Sequence, residues 1–244
     1  MVISGPALRT GASRLTAQAA LAVGAGLVTL IGGRSALSEH AAHVTAIMLC
    51  EADEAFSAID HRVRALAIGP GAGVNADLVA DVATLLLRKI PIILDADALT
   101  AFETKPEMLF ALLHEEAVLT PHEGEFTRLF PNISLTNREQ AVSQASLMSG
   151  AIVLLKGHVT VIAAPDGRTA HNLHSAPWLA TAGSGDVLGG LICGLLAQGN
   201  APFDASCIGA WLHGDIGVRG GPGLTGDRMV DVIPLVLAGC LRKG

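Results

Sequence analysis

Short apolar runs rich in valine and isoleucine recur along the chain at AGLVTLI (25–31), VTAIML (44–49), RALAIG (64–69), PIILDA (91–96), EAVLTP (116–121) and AIVLLKG (151–157). Each is followed by a turn or by residues with helical spacing, which predicts a repeated β-α-β rhythm. Strands this continuously apolar suit a parallel sheet covered on both faces, so the expected fold is α/β, a three-layer α/β/α sandwich around a mostly parallel central sheet. After AIVLLKG the pattern changes. VTVIAAPDGRTAHNL (159–173) alternates about Pro165-Asp166-Gly167 and predicts a hairpin at the sheet edge. From Ser184 onward LGGLICGLLAQG, FDASCIGAWLHGDIG and DRMVDVIPLVLAGCL read as three successive helices.

The uncharged stretch LTAQAALAVGAGLVTLIGG (15–33) is long enough to raise a membrane span. Gly24 and Gly26 divide it, however, into an alanine-rich helical half and the branched strand LVTLI. No basic region and apolar core precede a cleavage site at the start. Without a linker or low-complexity tract, residues 1–244 read as a single domain. Met1-Val2-Ile3-Ser4 looks like the tail of a first strand, which points to a missing upstream piece.

Composition narrows the partner. Half of the 244 residues are hydrophobic, 16% are charged and the formal net charge is −6, which argues against a broad basic surface for nucleic acid or anionic membrane and for a small-molecule ligand. Cys50, Cys193, Cys207 and Cys240 are scattered without metal-ligand spacing and fit a reducing, cytoplasmic setting.

In an open parallel sheet, ligands lie beyond the carboxyl ends of the strands. The residues there are GPGAG (69–73), DADAL (95–99), TPHEGEF (120–126) and KGHVT (156–160). Each has a structural reading beside a functional one. GPGAG is either an ordinary strand-to-helix turn or a backbone that lets a ligand approach closely. Asp95 and Asp97 either bond to nearby backbone and cap the next helix or hold a metal-bound water. His122 sits in a turn, and Glu125 in the first turn of a helix suits the helix dipole. Lys156 is either a surface cation or a partner for phosphate. His40 and His43 read as helix-surface residues, and His213-Gly214-Asp215 as helix packing rather than a metal cluster. In TAGSGDVLGG (181–190), Asp186 follows Gly183-Ser184-Gly185 at the start of a helix. There a carboxylate caps, or acts on a ligand bound at the free N–H groups.

Taken in order, GPGAG, DADAL, TPHEGEF, LLKGHVT and AGSGDVLGG resemble the ADP-dependent NAD(P)H-hydrate dehydratases of the ribokinase-like superfamily. The opening GPALRTGASRLTAQAALAVGAGLVTL is similar to that family's first helix and second strand, so the resemblance spans essentially the whole chain. It implies repair of the S-epimer of hydrated NADH or NADPH, by phosphorylation of the hydroxyl from ADP or ATP and elimination of phosphate. By that resemblance Ala12, Gly73, His122 and Asp186 bind the hydrate. Lys156, Gly157, His158, Val159 and Thr160, with Ser184 and Gly185, bind the nucleotide. Asp186 is the catalytic residue, while Asp95, Asp97 and Glu125 support the site. The resemblance also implies Mg²⁺, a homo-oligomer (a tetramer in the family), and an epimerase as a fused or separate partner. Ser184 stands where the family usually has threonine and Ala182 where it usually has glycine; serine keeps the hydroxyl. Two rival readings are a ribokinase-like kinase of a small alcohol or vitamin precursor and a nucleotide-binding module without catalysis.

Overall fold

The computed structural model describes residues 1–52 and 59–241. Among these, nine strands form one sheet in the order β3-β2-β1-β4-β5-β6-β7-β8-β9. The strands are β1 (Val2–Ile3), β2 (Thr29–Gly32), β3 (Met48–Glu51), β4 (Leu66–Ile68), β5 (Ile92–Leu94), β6 (Ala117–Leu119), β7 (Ile152–Leu155), β8 (Thr160–Ala163) and β9 (Thr169–Asn172). All pairings from β3 through β7 are parallel, and β8 and β9 add the antiparallel hairpin anticipated around Pro165-Asp166-Gly167. The helices, in chain order, are α1 (Gly11–Ala22), α2 (Arg34–Ala41), α3 (Ala76–Leu86), α4 (Asp97–Thr100), α5 (Pro106–Phe110), α6 (Glu123–Leu129), α7 (Arg138–Ser149), α8 (Ser184–Ala197), α9 (Pro202–Gly220) and α10 (Gly226–Leu241).

The two-residue period of the strands divides the core. Val2, Leu30, Ala67, Ile93 and Val118 face one cluster with α1, α8, α9 and α10. Their neighbours Ile3, Ile31, Leu66, Ile68, Ile92, Leu94 and Leu119 face the other, with α3, α6 and α7. Both faces are therefore dry, which is why the strands read as unbroken apolar runs rather than as alternation. On the first face α1 and α8 approach closely. A Cβ on Gly190 would stand 2.3 Å from the Thr16 carbonyl oxygen, so only glycine admits this contact.

The stretch 15–33 resolves into α1, a turn and β2, and no helix among the described residues is long and apolar enough to cross a membrane. Two expectations need correction. The strand expected from VTAIML begins only at Met48, because the Val44 N–H still donates to the His40 carbonyl at the end of α2; the residues at 53–58 that follow this strand lie outside the described part. His40 is not on the surface. It shares the buried face of α2 with Ala36 and Leu37, and its Nε2 lies 2.8 Å from Ser4 Oγ. His43 is exposed, as expected.

Candidate active site

The loop after β4 is shaped by backbone geometry. Gly69, Gly71 and Gly73 all have positive φ, and a Cβ on Gly69 would lie 1.8 Å from the Asp95 carbonyl oxygen. Gly73 N–H donates to Asp97 Oδ2 at 2.7 Å, so Asp97 ties the end of GPGAG to the start of α4. Between the two acids Ala96 has φ +50°, a strained value for a residue with a Cβ. Asp95 is 2% exposed; its Oδ1 accepts from Ala96 N–H at 2.8 Å and from Lys156 Nζ at 2.7 Å.

After β6, His122 and Glu125 form a capping box on α6. His122 Nδ1 accepts from Gly124 and Glu125 N–H at 2.9 and 3.2 Å, and Glu125 Oε2 accepts from His122 N–H at 2.8 Å. The accepting Nδ1 leaves the proton of the neutral ring on Nε2. Lys156, at the end of β7, lies 3.9 Å from Glu125 Oε2 as well as against Asp95. Burial works to lower the Lys156 ammonium, but Asp95, Glu125 and Asp186 outweigh it and hold its pKa above the ordinary value. The surface reading of this lysine is therefore not the one realised. Arg138, at the start of α7, braces the following turn. Its guanidinium donates to the carbonyls of Lys156 and Val159 at 3.3 and 3.4 Å and pairs with Glu123 from TPHEGEF.

The fourth segment opens α8. Gly183 is the N-cap, with φ +85° and no side-chain capping bond. Asp186 lies in the first turn and does not serve as the cap. Burial, and next the neighbouring Asp95 charge, push its carboxyl up to about 6 against the opposing pull of Lys156. A Cβ on Gly185 would stand 3.4 Å from Lys156 Nζ, which puts the ammonium at the helix N-terminus. Ser184 Oγ lies 2.9 Å from His213 Nε2, and burial pushes that imidazole down to about 4, so it is neutral at physiological pH. Thr16 Oγ1 donates to the carbonyls of Ala12 and Asp186, both at 3.1 Å, and so joins the first turns of α1 and α8.

These residues fall into two groups. A cavity of about 630 Å³ is lined by His122, by Lys156, Gly157, His158 and Thr160, by Ser184 and Gly185, and by residues of the 172–182 segment and α9. Val159 is in the same turn but not on the cavity wall. Ala12, Gly73, Asp95, Asp97, Glu125 and Asp186 do not line it either. Ala12 and Gly73 sit with GPGAG, where a Cβ on Gly71 would be 3.5 Å from the Ala12 Cβ. Two contributors were missed in the sequence, Arg138 and His174, and His213 was read as helix packing without its place on the cavity wall. The one available signal for His174 was the polar run HNLHS leaving the hairpin; nothing local marks Arg138.

Among the described residues no group of three or more His, Cys, Asp or Glu side chains is placed to hold a metal. His213 and Asp215 contact different partners, Ser184 and the His174–Arg219 pair, in keeping with helix packing. Asp95 and Asp186, the two carboxylates whose charges act on each other beside Lys156, suit a cation that keeps most of its waters rather than an all-protein cage.

The fold is ribokinase-like: the crystal structure of a ribokinase-like superfamily protein from Enterococcus faecalis superposes with a TM-score of 0.80 at 25% identity, covering 98% of this chain and 86% of that one. The model of the NAD(P)H-hydrate dehydratase family matches residues 1–220, and the chain belongs to that family. It is 39% identical over 220 residues to the ADP-dependent (S)-NAD(P)H-hydrate dehydratase of Neisseria meningitidis, covering 87% of this chain and 74% of that one. It is 38% identical to the bifunctional NAD(P)H-hydrate repair enzyme Nnr of Moorella thermoacetica, covering 97% of this chain and 48% of that one. The chain thus spans about half the length of several curated relatives it matches. The crystal structure of the ADP/ATP-dependent NAD(P)H-hydrate dehydratase from Bacillus subtilis, co-crystallised with ATP/Mg²⁺ and soaked with CoA, superposes with a TM-score of 0.83 at 25% identity, covering 97% of this chain and 90% of that one.

Proposed function

We propose that the chain dehydrates the S-epimer of hydrated NADH or NADPH at the expense of ADP or ATP. The observation that carries this reading is Asp186: a carboxylate in the first turn of α8 that does not cap it, raised to about 6, next to a cavity holding Lys156, Ser184 and Gly185. A base works best with its pKa near the operating pH. Asp186 takes the proton of the hydrate's hydroxyl, and that oxygen bonds to the terminal phosphorus of the nucleotide. The bond from phosphorus to the leaving nucleotide breaks, giving AMP from ADP or ADP from ATP. The phosphorylated carbon then expels phosphate while its neighbour loses a proton, which restores the dihydronicotinamide double bond. The N–H groups of Gly183 and Gly185 and the Lys156 ammonium stabilise charge on the transferring group, while the Ser184 N–H is taken by the Thr181 carbonyl at 3.3 Å. Asp95 and Asp186 would hold a Mg²⁺ that arrives with the nucleotide, and the ion would supply neutralisation of phosphate charge.

Within this reading, Ala12, Gly73 and His122 hold the hydrate and the turn 156–160 holds the nucleotide. Asp97 acts through Gly73, and Glu125 through His122 and Lys156. Residues 1–244 act as one domain in the cytoplasm, supported by the continuous sheet and the free cysteines. Self-association as a homo-oligomer is supported by exposed Leu8, Leu147 and Leu235. An epimerase, fused or separate, would supply the S-epimer.

The test incubates the purified chain with NADH hydrate and ADP or ATP and follows recovery of dihydronicotinamide absorbance. Accumulation of a phosphorylated alcohol would instead establish a kinase, and nucleotide binding without turnover a binding module.

A further inference from the structure

Part of the cavity is walled by the chain leaving β9 and by α9, and the residues there have no role in the reaction as proposed. Asn172 Nδ2 donates to the carbonyls of His174 at 3.0 Å and Ala210 at 2.9 Å, which pins this segment to the helix. The approach is so close that a Cβ on Gly214 would stand 1.8 Å from the His174 carbonyl oxygen. The His174 ring stacks on Trp211, with centroids 5.2 Å apart and planes at 21°. His174 Nε2 lies 3.1 Å from Asp215 Oδ1, and Asp215 Oδ2 accepts from Arg219 Nε at 2.5 Å.

These contacts select a tautomer. Burial would raise the Asp215 carboxyl, but the bonds from Arg219 and His174 prevail and hold it below the ordinary range, so it is an ionised acceptor. Nε2 must then carry the proton. Nδ1 of the neutral ring keeps its lone pair, and it has no hydrogen-bond partner among the described residues. The surrounding wall includes Pro177, Leu179, Ala180 and Leu188, apolar surface that suits a flat heteroaromatic ring.

We propose that His174 reads the nucleobase of the co-substrate: its Nδ1 accepts a hydrogen bond from the 6-amino group of adenine and disfavours a base with a carbonyl oxygen there. Trp211 holds the ring plane, and Asp215 with Arg219 holds the tautomer. This rests on the nucleotide-dependent reading above and adds the base specificity of that site. A hydroxyl or amide in place of His174 would offer both a donor and an acceptor, whereas the buttressed imidazole offers the acceptor alone.

ADP and IDP, which differ at that ring position, distinguish the possibilities when titrated at pH 8 with tryptophan fluorescence or calorimetry. The intact chain should bind ADP about tenfold more tightly than IDP, the ordinary worth of one hydrogen bond. His174→Ala should bring the ratio close to one, chiefly by weakening ADP. Asp215→Asn, which keeps the ring but frees the tautomer, should lower the ratio, and His174→Gln should retain part of it. Should His174→Ala fail to fold, the other two variants carry the test. Equal affinities in the intact chain, or an unchanged ratio in folded His174→Ala, would overturn the inference. ADP preference without hydrate turnover would leave it standing and remove only the proposed reaction, whereas absence of nucleotide binding would remove both.

Discussion

The two walls of the site are made in different ways. On the parallel-sheet side, GPGAG, DADAL and TPHEGEF hold their polar groups through backbone contacts: positive-φ glycines, the Gly73 N–H on Asp97 of the adjacent strand end, and the His122–Glu125 capping box. On the hairpin and helical side the cavity is held by side chains brought from distant parts of the chain, Ser184 to His213 and His174 to Asp215. Lys156 joins the walls through Asp95 and the N-terminus of α8. The first wall is set by backbone geometry at neighbouring strand ends. The second depends on how α9 packs, and so its selectivity can change without disturbing the chemistry of the first.

The largest effect that would separate the walls is loss of the base. Asp186→Asn should lower turnover by about 10²–10⁴ while leaving the nucleotide dissociation constant within about twofold of the unsubstituted chain. Steady-state kinetics with a parallel nucleotide titration checks it; undiminished turnover in a folded variant would remove Asp186 from the chemistry.

Lys156 tests the junction. Lys156→Ala strands Asp95, a carboxylate only 2% exposed, and should cost about 3–5 kcal/mol in urea unfolding. Adding Asp95→Asn should recover part of that stability but not the nucleotide affinity. Recovery of both would make the lysine purely structural.

The pH profile sharpens the role of the first wall. With Asp186 raised to about 6, kcat should fall about tenfold per pH unit below 6 and level off above it. The same shift has a sign for stability. A carboxyl raised from 3.8 to about 6 on folding contributes stability that is complete below 3.8 and lost as pH rises through about 6. Asp186→Asn should therefore unfold at a higher temperature than the unsubstituted chain at pH 8 but not at pH 3.5, with a gain of about 1 kcal/mol after allowing for partial solvation. Equal melting shifts at both values would break that linkage.

The smallest effect concerns the backbone tie. Asp97→Ala leaves the Gly73 N–H without its acceptor and should cost about 1–2 kcal/mol in stability. The Michaelis constant for the hydrate should rise a fewfold, with nucleotide affinity unchanged. An equal loss at both subsites would mean that the two walls move together.

Read as a linear pattern, the chain already determined the sheet, its hairpin edge, the three closing helices and the strand-end segments of the first wall. Strand burial and turn chemistry are local properties that leave periods, glycines and caps in the sequence. Asp186 was visible for the same reason, as an acid at the start of an apolar helix, although whether it capped that helix was not. Tertiary structure alone decided that Gly183 is the cap and that Asp186 is withdrawn from solvent and lies near Asp95, so that burial first and the Asp95 charge second raise its pKa. It also buried His40 against Ser4, braced the 156–159 turn with Arg138, and paired His213 with Ser184 and His174 with Asp215. These partners lie between 18 and 41 positions apart. Such contacts leave no periodic trace, because they arise only where the packing of helices on a twisted sheet brings two surfaces together.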